Sequence, residues 1–450
     1  MLEGMVPEGR EIAVIGLGRS GEWATRLLRQ AGLPVYASDA GRSAALEATA
    51  TELRGLGAGV EIGGHDLARI GRAALCIVSP GVPPDAAPLL AARGGDVPIR
   101  AEADLGLEAL AGVPYIAVTG TNGKSTTTAL IGHLLLAGGR RALAVGNIGT
   151  PLSEIALLPV RPEWLAVELS SFQLHDLAEV RPAVGVLTNL SPDHLDRYAR
   201  LEDYYADKKR MYLNAGPDSL WVANADDPAS RELMEGVAGR RLGFSVQEPA
   251  EAWFDRETRT LRLGQEELLP RDELALLGDH NVANALAASV AVHATGVGIP
   301  ALAEGLRTFR ALQHRMEPVR EVGGVLYIND SKATNIASTE VAVAALERPI
   351  VLLLGGRHKG EPYTSLAPLL AGRCRAVIAF GEAKPIVLSD LAGAGIPLIA
   401  GGSFDEVMTA ARVMAHPGDV VLLSPACSSY DMFTNYVERG RRFREIVESW

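Results

Sequence analysis

At 450 residues the chain is too long for one compact core and fits two to four domains of roughly 100–200 residues each. Its 48% hydrophobic and 22% charged content is ordinary for a globular protein, and a net charge of −11 disfavours general nucleic-acid binding while leaving local loops free to capture anions. The three scattered cysteines form no C-x-x-C pair, which argues against zinc or a redox dithiol and fits a reducing compartment. The start lacks a secretory pattern, and no run of about 18 apolar residues could span a bilayer, so a cytoplasmic protein is expected.

Short β-branched runs alternate with helical patterns throughout, which predicts α/β units with parallel sheets. The first strands are EIAVIG, PVYASD and AALCIVSPG. After the first comes VIGLGRSGEWATRLL, which carries G-x-G-x-x-G as Gly16, Gly18 and Gly21. Asp39 follows at about the 20-residue spacing of a dinucleotide fingerprint. The physics is a tight glycine turn that lays a diphosphate on a helix N-terminus. By itself the stretch leaves a nicotinamide-dependent oxidoreductase open. A boundary is expected near residues 102–113.

The second segment has strands at YIAVTG, RALAVGN, WLAVEL, AVGVLTNL and SLWVANAD. YIAVTGTNGKSTTTALIGHLLL reads as strand, glycine loop and helix. Val118 stands where a full Walker pattern has its first glycine, but Gly120, Thr121, Asn122, Gly123, Lys124, Ser125 and Thr126 keep the working part. Backbone N–H groups turn inward around phosphate oxygens, Lys124 reaches the terminal phosphates and Ser125 ligates Mg²⁺. Residues 240–275 predict a small antiparallel excursion, and a helix is expected over 281–296. Around RALQHRMEPV the pattern resets, and VLYIND, PIVLLLGG, RAVIAFG, IPLIAG and DVVLLSP alternate with helices to the end.

Ionisable residues collect just past strand ends, where α/β sheets bind ligands. Glu168 follows one strand, and Asp193, His194 and Asp196 another. Asp330, Ser331, Lys332 and Thr334 follow a third, and LLGGRHKG and LLSPACSSYDMF end two more. A lone histidine after a strand is usually structural, but five such ends in one chain are hard to attribute to chance. The basic run Lys208-Lys209-Arg210 has a bland reading as a solvated helix face.

GTNGKST, ELSSFQL, NLSPDHLDRY, HNVANA, HRME, NDSKATN, LLGG…K and LSPACSSYDMF stand in the order found in the Mur ligases. The chain resembles that family nearly end to end, least at 40–75 and 228–275, and GLGRSG, GNIGTP and the last motif resemble its D-glutamate-adding branch. The resemblance implies three α/β domains. Residues 1–102 would be a Rossmann-like UDP-sugar domain. Residues 103–311 would be a central P-loop ATPase-like domain with a small antiparallel sheet, and 312–450 a Rossmann-like domain for the incoming amino acid. It implies that ATP phosphorylates the carboxylate of UDP-N-acetylmuramoyl-L-alanine and that the amine of D-glutamate displaces phosphate from the acyl phosphate.

Bringing a carboxylate to a γ-phosphate requires Mg²⁺ and cations to cancel their repulsion. Glu168 fits one Mg²⁺ with Ser125, and the resemblance gives a second ion to His194. It also implies that Lys208, ahead of Lys209, holds CO₂ as a carbamate. By the same resemblance Asn281, Arg315 and Asp330 serve ATP, the last at its ribose or the domain junction. Lys332, Thr334, Lys359, Ser429 and Tyr436 serve the carboxylates and flank of D-glutamate, although Tyr436 stands where the family usually has Phe and Tyr430 where Leu is common. Gly18, Arg19 and Ser20 would hold the UDP diphosphate, Asp39 the uracil, and Ser79 and Asn147 the remainder. The family often has Thr-Arg after this Asp, and here Ala40-Gly41 follow. No second copy is demanded, and a monomer is expected.

Three alternatives remain. Another Mur-type ligase would add L-alanine or a diamino acid or extend folate, but no DNPR-like motif is present. An oxidoreductase would leave GTNGKST and the later strand ends without work. A non-catalytic nucleotide-binding regulator would not need Lys124, Glu168 and His194 together.

Overall fold

The computed structural model describes residues 7, 9–193 and 197–450. It divides into two compact units, Met1–Pro270 with Ala283–Leu306, and Arg271–Val282 with Arg307–Trp450.

The first unit holds two sheets. In one, β1 (Ile12–Ile15), β2 (Val35–Asp39), β3 (Gly59–Ile62), β4 (Leu75–Val78) and β5 (Ile99–Ala101) run in the order β3-β2-β1-β4-β5 with parallel pairing throughout. β1 (IAVI) and β4 (LCIV) are buried along their length, as strands covered on both faces must be. The strand order reverses at the β1–β4 seam, which opens a crevice at the carboxyl ends of those strands. The unpredicted β3 and β5 are a half-exposed outer strand and a three-residue strand, both weak in periodicity.

The second sheet has nine strands. They are β6 (Tyr115–Thr119), β7 (Ala142–Gly146), β8 (Trp164–Glu168), β9 (Val184–Leu187), β10 (Leu220–Asn224), β11 (Arg240–Ser245), β12 (Ala252–Asp255), β13 (Thr260–Leu263) and β14 (Glu266–Pro270). Their order is β14-β13-β12-β11-β10-β9-β6-β8-β7. β6 lies between β8 and β9 and pairs parallel with both, so the GTNGKST loop leaves the interior of the sheet beside Glu168. Val118, in place of the first Walker glycine, is a fully buried residue of β6. The antiparallel excursion appears as β12–β13–β14, and it extends the edge of this sheet through the parallel β10–β11–β12.

In the second unit, β15 (Glu317–Val322), β16 (Val325–Asn329), β17 (Ile350–Gly355), β18 (Cys374–Phe380), β19 (Leu398–Ala400) and β20 (Val420–Leu423) run in the order β15-β16-β20-β17-β18-β19. All neighbours are parallel except the β15–β16 hairpin. Its two-residue turn, Gly323-Gly324, has φ of 59° and 79°, a left-handed pair that glycine takes without strain. β16, β20 and β17 lie side by side, so NDSK, SPACSS and GGRHK leave adjacent carboxyl ends.

Candidate active site

The first glycine loop opens a cavity of about 580 Å³ whose lining includes Gly18, Arg19, Ser20, Asp39, Ser79 and Asn147. Six residues from four separate stretches of the sequence thus share one pocket. The helix Arg19–Gln30 starts there, and its N-cap Gly18 makes no side-chain capping bond, so its first-turn N–H groups are not capped by a side chain. Gly21 is required by packing, since a Cβ there would sit 1.8 Å from the Gly16 carbonyl oxygen.

Several of these side chains also build the loop. The Asp39 carboxylate accepts from the backbone N–H of Leu17 and of Gly41, each at 2.7 Å. Ser79 Oγ donates to the Gly16 carbonyl at 2.8 Å. Arg19 makes a two-point ion pair with Glu154, both bonds at 3.1 Å. Glu102 lies in the cavity wall almost wholly buried, its oxygen accepts from Ser153 N at 2.7 Å, and burial raises its pKa.

The second loop joins β6 to the helix Lys124–Ala137, with Gly123 as an N-cap in the left-handed region at φ 81°. A Cβ at Gly120 would meet Thr188 Oγ1 at 2.0 Å, and one at Gly123 would meet Asn284 Oδ1 at 2.3 Å. Asn189 braces the loop by accepting from Thr121 N and Asn122 N at 2.8 and 3.0 Å. Lys124 Nζ folds back on the loop and donates to the carbonyls of Gly120 and Thr121 at 2.9 and 2.7 Å. Ser125 and Thr126 are buried at the start of the helix. Asn284, which the sequence leaves unassigned, also accepts from Thr127 Oγ1 at 3.2 Å.

Glu168, at the end of β8, is 1% exposed. Its Oε1 accepts from Asn147 Nδ2 at 2.9 Å, while its buried Oε2 has no hydrogen-bond partner among the described residues. An orphaned carboxylate oxygen beside a phosphate loop fits a hard cation such as Mg²⁺. Among the described residues no three His, Cys, Asp or Glu side chains gather as a cage. An ion here would therefore rely on hydroxyl, water and phosphate oxygens beside Glu168. His194, the expected partner for a second ion, lies outside the described residues.

The basic run divides sharply. Lys209 is exposed, and Arg210 donates to the carbonyls of Leu174 and Leu177. Lys208 is 1% exposed, donates to the Gly120 carbonyl at 2.7 Å, and lies 4.4 Å from the Tyr204 ring centroid. Burial first, and the Lys124 ammonium second, hold its amine well below the ordinary lysine range. The solvated-face reading therefore describes Lys209 and not Lys208.

In the second unit Asp330 is buried, and its carboxylate accepts from Met316 N at 3.1 Å and Ser424 Oγ at 2.8 Å. Burial raises its pKa to about 7. The bond to Met316 pins a turn in which His314 (φ 63°) and Met316 (φ 42°) both take left-handed backbone on either side of Arg315, a strained arrangement. Asn281 Nδ2 donates to Leu277 O at 2.8 Å. Lys332 Nζ lies 4.1 Å from the Tyr436 ring centroid, so these two candidates meet. Ser429 is buried, Thr334 partly buried and Lys359 exposed on the loop after β17. Tyr430 is 63% exposed.

Two further features here escape sequence reading. Arg439, fully buried, donates from Nε to Ser331 Oγ at 3.0 Å and from Nη2 to the carbonyls of Ser331 and Cys427 at 2.8 and 3.1 Å. It ties the NDSK and SPACSS strand ends, and burial lowers its pKa to about 10. Tyr363 Oη and Cys427 Sγ lie 2.8 Å apart beneath the same ends, and burial pushes the thiol up to about 11.

Residues 118–292 match the Mur ligase middle domain, and residues 314–427 match the Mur ligase, glutamate ligase domain. A UDP-N-acetylmuramoylalanine–D-glutamate ligase of Acidobacterium capsulatum is 40% identical over 448 residues, covering 98% of this chain and 96% of that one. Its counterpart in Anaeromyxobacter dehalogenans is 41% identical over 464 residues, covering 98% of each. The crystal structure of UDP-N-acetylmuramate–alanine ligase from Thermotoga maritima shares the fold with a TM-score of 0.63 at 20% identity, over 98% of this chain and 99% of that one. Two domain matches and relatives of this identity over nearly the full length leave one assignment: the chain belongs to the Mur ligase family.

Proposed function

We propose that this ligase joins D-glutamate to UDP-N-acetylmuramoyl-L-alanine at the expense of ATP, forming ADP and phosphate in the synthesis of peptidoglycan precursors. Nearly full-length identity of about 40% to ligases named for D-glutamate carries this conclusion. Residues 1–102 would hold the UDP-sugar, 103–311 ATP and 312–450 D-glutamate.

In the first step the terminal carboxylate oxygen of the UDP-sugar substrate attacks the γ-phosphorus, and the bond to the ADP oxygen breaks. Gly18, Arg19 and Ser20 bind the diphosphate of that substrate. Asp39, Ser79 and Asn147 complete its pocket, which supports this reading by bringing all six together. Lys124 exchanges its two carbonyl partners for the terminal phosphates. Mg²⁺, held by Ser125 and Glu168 and at a second position by His194, would supply charge neutralisation between the two anions. Asn281 and Arg315 contact the nucleotide. Asp330, with both oxygens already engaged within its unit, supports Arg315 through the Met316 turn.

Lys208 is proposed to carry CO₂. Its neutral amine attacks the carbon, an N–C bond forms, one proton is lost and an anionic carbamate remains. Burial that favours the neutral amine supports this step.

In the second step the amine of D-glutamate attacks the acyl carbon, and phosphate leaves from the tetrahedral intermediate. Lys332 and Lys359 supply charge to its carboxylates, Thr334 and Ser429 orient them, and Tyr436 flanks them while packing against Lys332. No helix among the described residues is long and apolar enough to cross a membrane, and a cytoplasmic monomer is proposed.

The test is phosphate release from UDP-N-acetylmuramoyl-L-alanine, ATP and D-glutamate. L-glutamate, L-alanine and a diamino acid serve as competitors for the last role. Turnover confined to D-glutamate supports the assignment, and preference for any other amino acid overturns it.

A further inference from the structure

The sugar-nucleotide pocket has one wall with few side-chain contacts to offer. Both Asp39 oxygens already accept backbone N–H groups, and the following Ala40-Gly41 bring no hydrogen-bonding side chain. The structure places another residue at this wall. The turn after β3 is clipped to the same segment: Gly63 N donates to the carbonyls of Asp39 and Gly41 at 2.8 and 3.0 Å, and Gly64 N to Asp39 at 3.2 Å. That clip sets His65 in the lining of the same cavity as Asp39 and Ala40.

The ring is oriented from behind. Ser38 Oγ, fully buried on β2, lies 2.9 Å from His65 Nδ1. His65 makes no other hydrogen bond among the described residues, so Nε2 is the ring nitrogen left for a ligand. Burial lowers its pKa, which favours an uncharged imidazole. A neutral ring with one free nitrogen offers a single directional hydrogen bond. That suits the edge of a planar, uncharged base, whereas a diphosphate is better served by Arg19 and the helix start.

We infer that His65 reads the nucleobase of the bound nucleoside diphosphate, supplying a contact that Ala40-Gly41 cannot make. This rests on the sugar-nucleotide reading of the pocket. His65 acts on recognition and takes no part in the chemical steps.

Calorimetry on the full chain tests it, with UDP and inorganic pyrophosphate as the two probes, each titrated with the GTNGKST loop filled by a saturating non-hydrolysable ATP analogue, alongside steady-state kinetics. His65→Ala should weaken UDP about five- to tenfold, in keeping with one lost hydrogen bond. It should leave pyrophosphate binding unchanged and raise the KM for the UDP-sugar substrate by more than it lowers kcat. His65→Gln, which keeps a hydrogen-bonding group, should recover most of the UDP affinity. If His65→Ala binds UDP as the parent does, or loses UDP and pyrophosphate affinity in parallel, the inference is overturned. If the parent chain binds pyrophosphate but not UDP, the pocket reading fails and takes the inference with it.

Discussion

Lys124 and Lys208 donate to one and the same oxygen, the Gly120 carbonyl, at 2.9 and 2.7 Å. Two ammonium groups sharing one acceptor in a buried loop repel each other, and the arrangement favours either an anion between them or loss of one charge. Lys208→Ala should therefore lower phosphate release by about 100-fold or more, the scale of a lost charge-stabilising group. Added short carboxylic acids should restore part of it by standing in for the carbamate. Lys209→Ala, on the exposed neighbour, should stay within about twofold, the effect of an ordinary surface change. Near-normal turnover by Lys208→Ala, with no gain from added acids, would sink the carbamate.

Gly21→Ala tests the first loop. The new methyl would press on the Gly16 carbonyl oxygen from 1.8 Å, and neither piece of backbone is free to yield cheaply. The expected cost is about 1–3 kcal/mol in urea unfolding, with UDP affinity falling alongside. Unchanged UDP binding would show that the close approach of helix and turn has no part in holding the diphosphate.

Asp330 gives the second unit a pH dependence. Its carboxyl is raised from 3.8 to about 7, so the folded state binds the proton more tightly than the unfolded state. The contribution to stability is complete below pH 3.8, declines as pH rises and is gone above about 7. The full swing is at most about 4 kcal/mol for a shift of about three units. Asp330→Asn should flatten this decline in a series of Tm values from pH 4 to 8. Parallel pH profiles for the two proteins would refute the assignment.

Arg439 holds two strand ends through carbonyls and a hydroxyl, with no carboxylate among the hydrogen bonds described for it. Arg439→Met should destabilise the second unit by about 3 kcal/mol or more, since buried acceptors lose a charged donor. It should also raise the KM for D-glutamate, because Lys332 and Ser429 lie on the ends it ties. Arg439→Lys should rescue little, lacking the planar fork that reaches both carbonyls. A KM unmoved by either change would separate those ends from the amino-acid site.

Much of the site was readable because it is local. GTNGKST, the GLGRSG turn and the residues after each strand are contiguous, and strand-loop-helix order alone sets their geometry. Residues brought in by tertiary packing were not readable. Asn284 meets Gly123 across 161 positions, and Arg439 reaches Ser331 across 108. His65 falls where the family resemblance is weakest, and only the clip to Asp39 and Gly41 brings it to the pocket. Lys208 and Lys209 look alike in a string of cations, and the burial that separates them comes from helix rotation. The spacing of Asp39 was legible, but its two backbone partners were not, so the sequence overstates how much of its carboxylate is free for a ligand. Strand β15 went unpredicted because Arg320 and Glu321, consecutive and so on opposite faces, are both exposed and break the period-2 alternation, and its pairing is a local hairpin.

The hydrogen bond from Asn147 to Glu168 joins a side chain in the cavity at the first glycine loop to the carboxylate beside the GTNGKST loop. A ligand that draws on the Asn147 amide alters the electron density and aim of Glu168, and a cation on Glu168 alters what Asn147 can offer. Such sharing makes the two occupancies one thermodynamic cycle. Whatever factor a ligand of that cavity applies to the affinity of a cation on Glu168, the cation must apply to the ligand. A single amide thus suffices to couple the two occupancies, with no moving part.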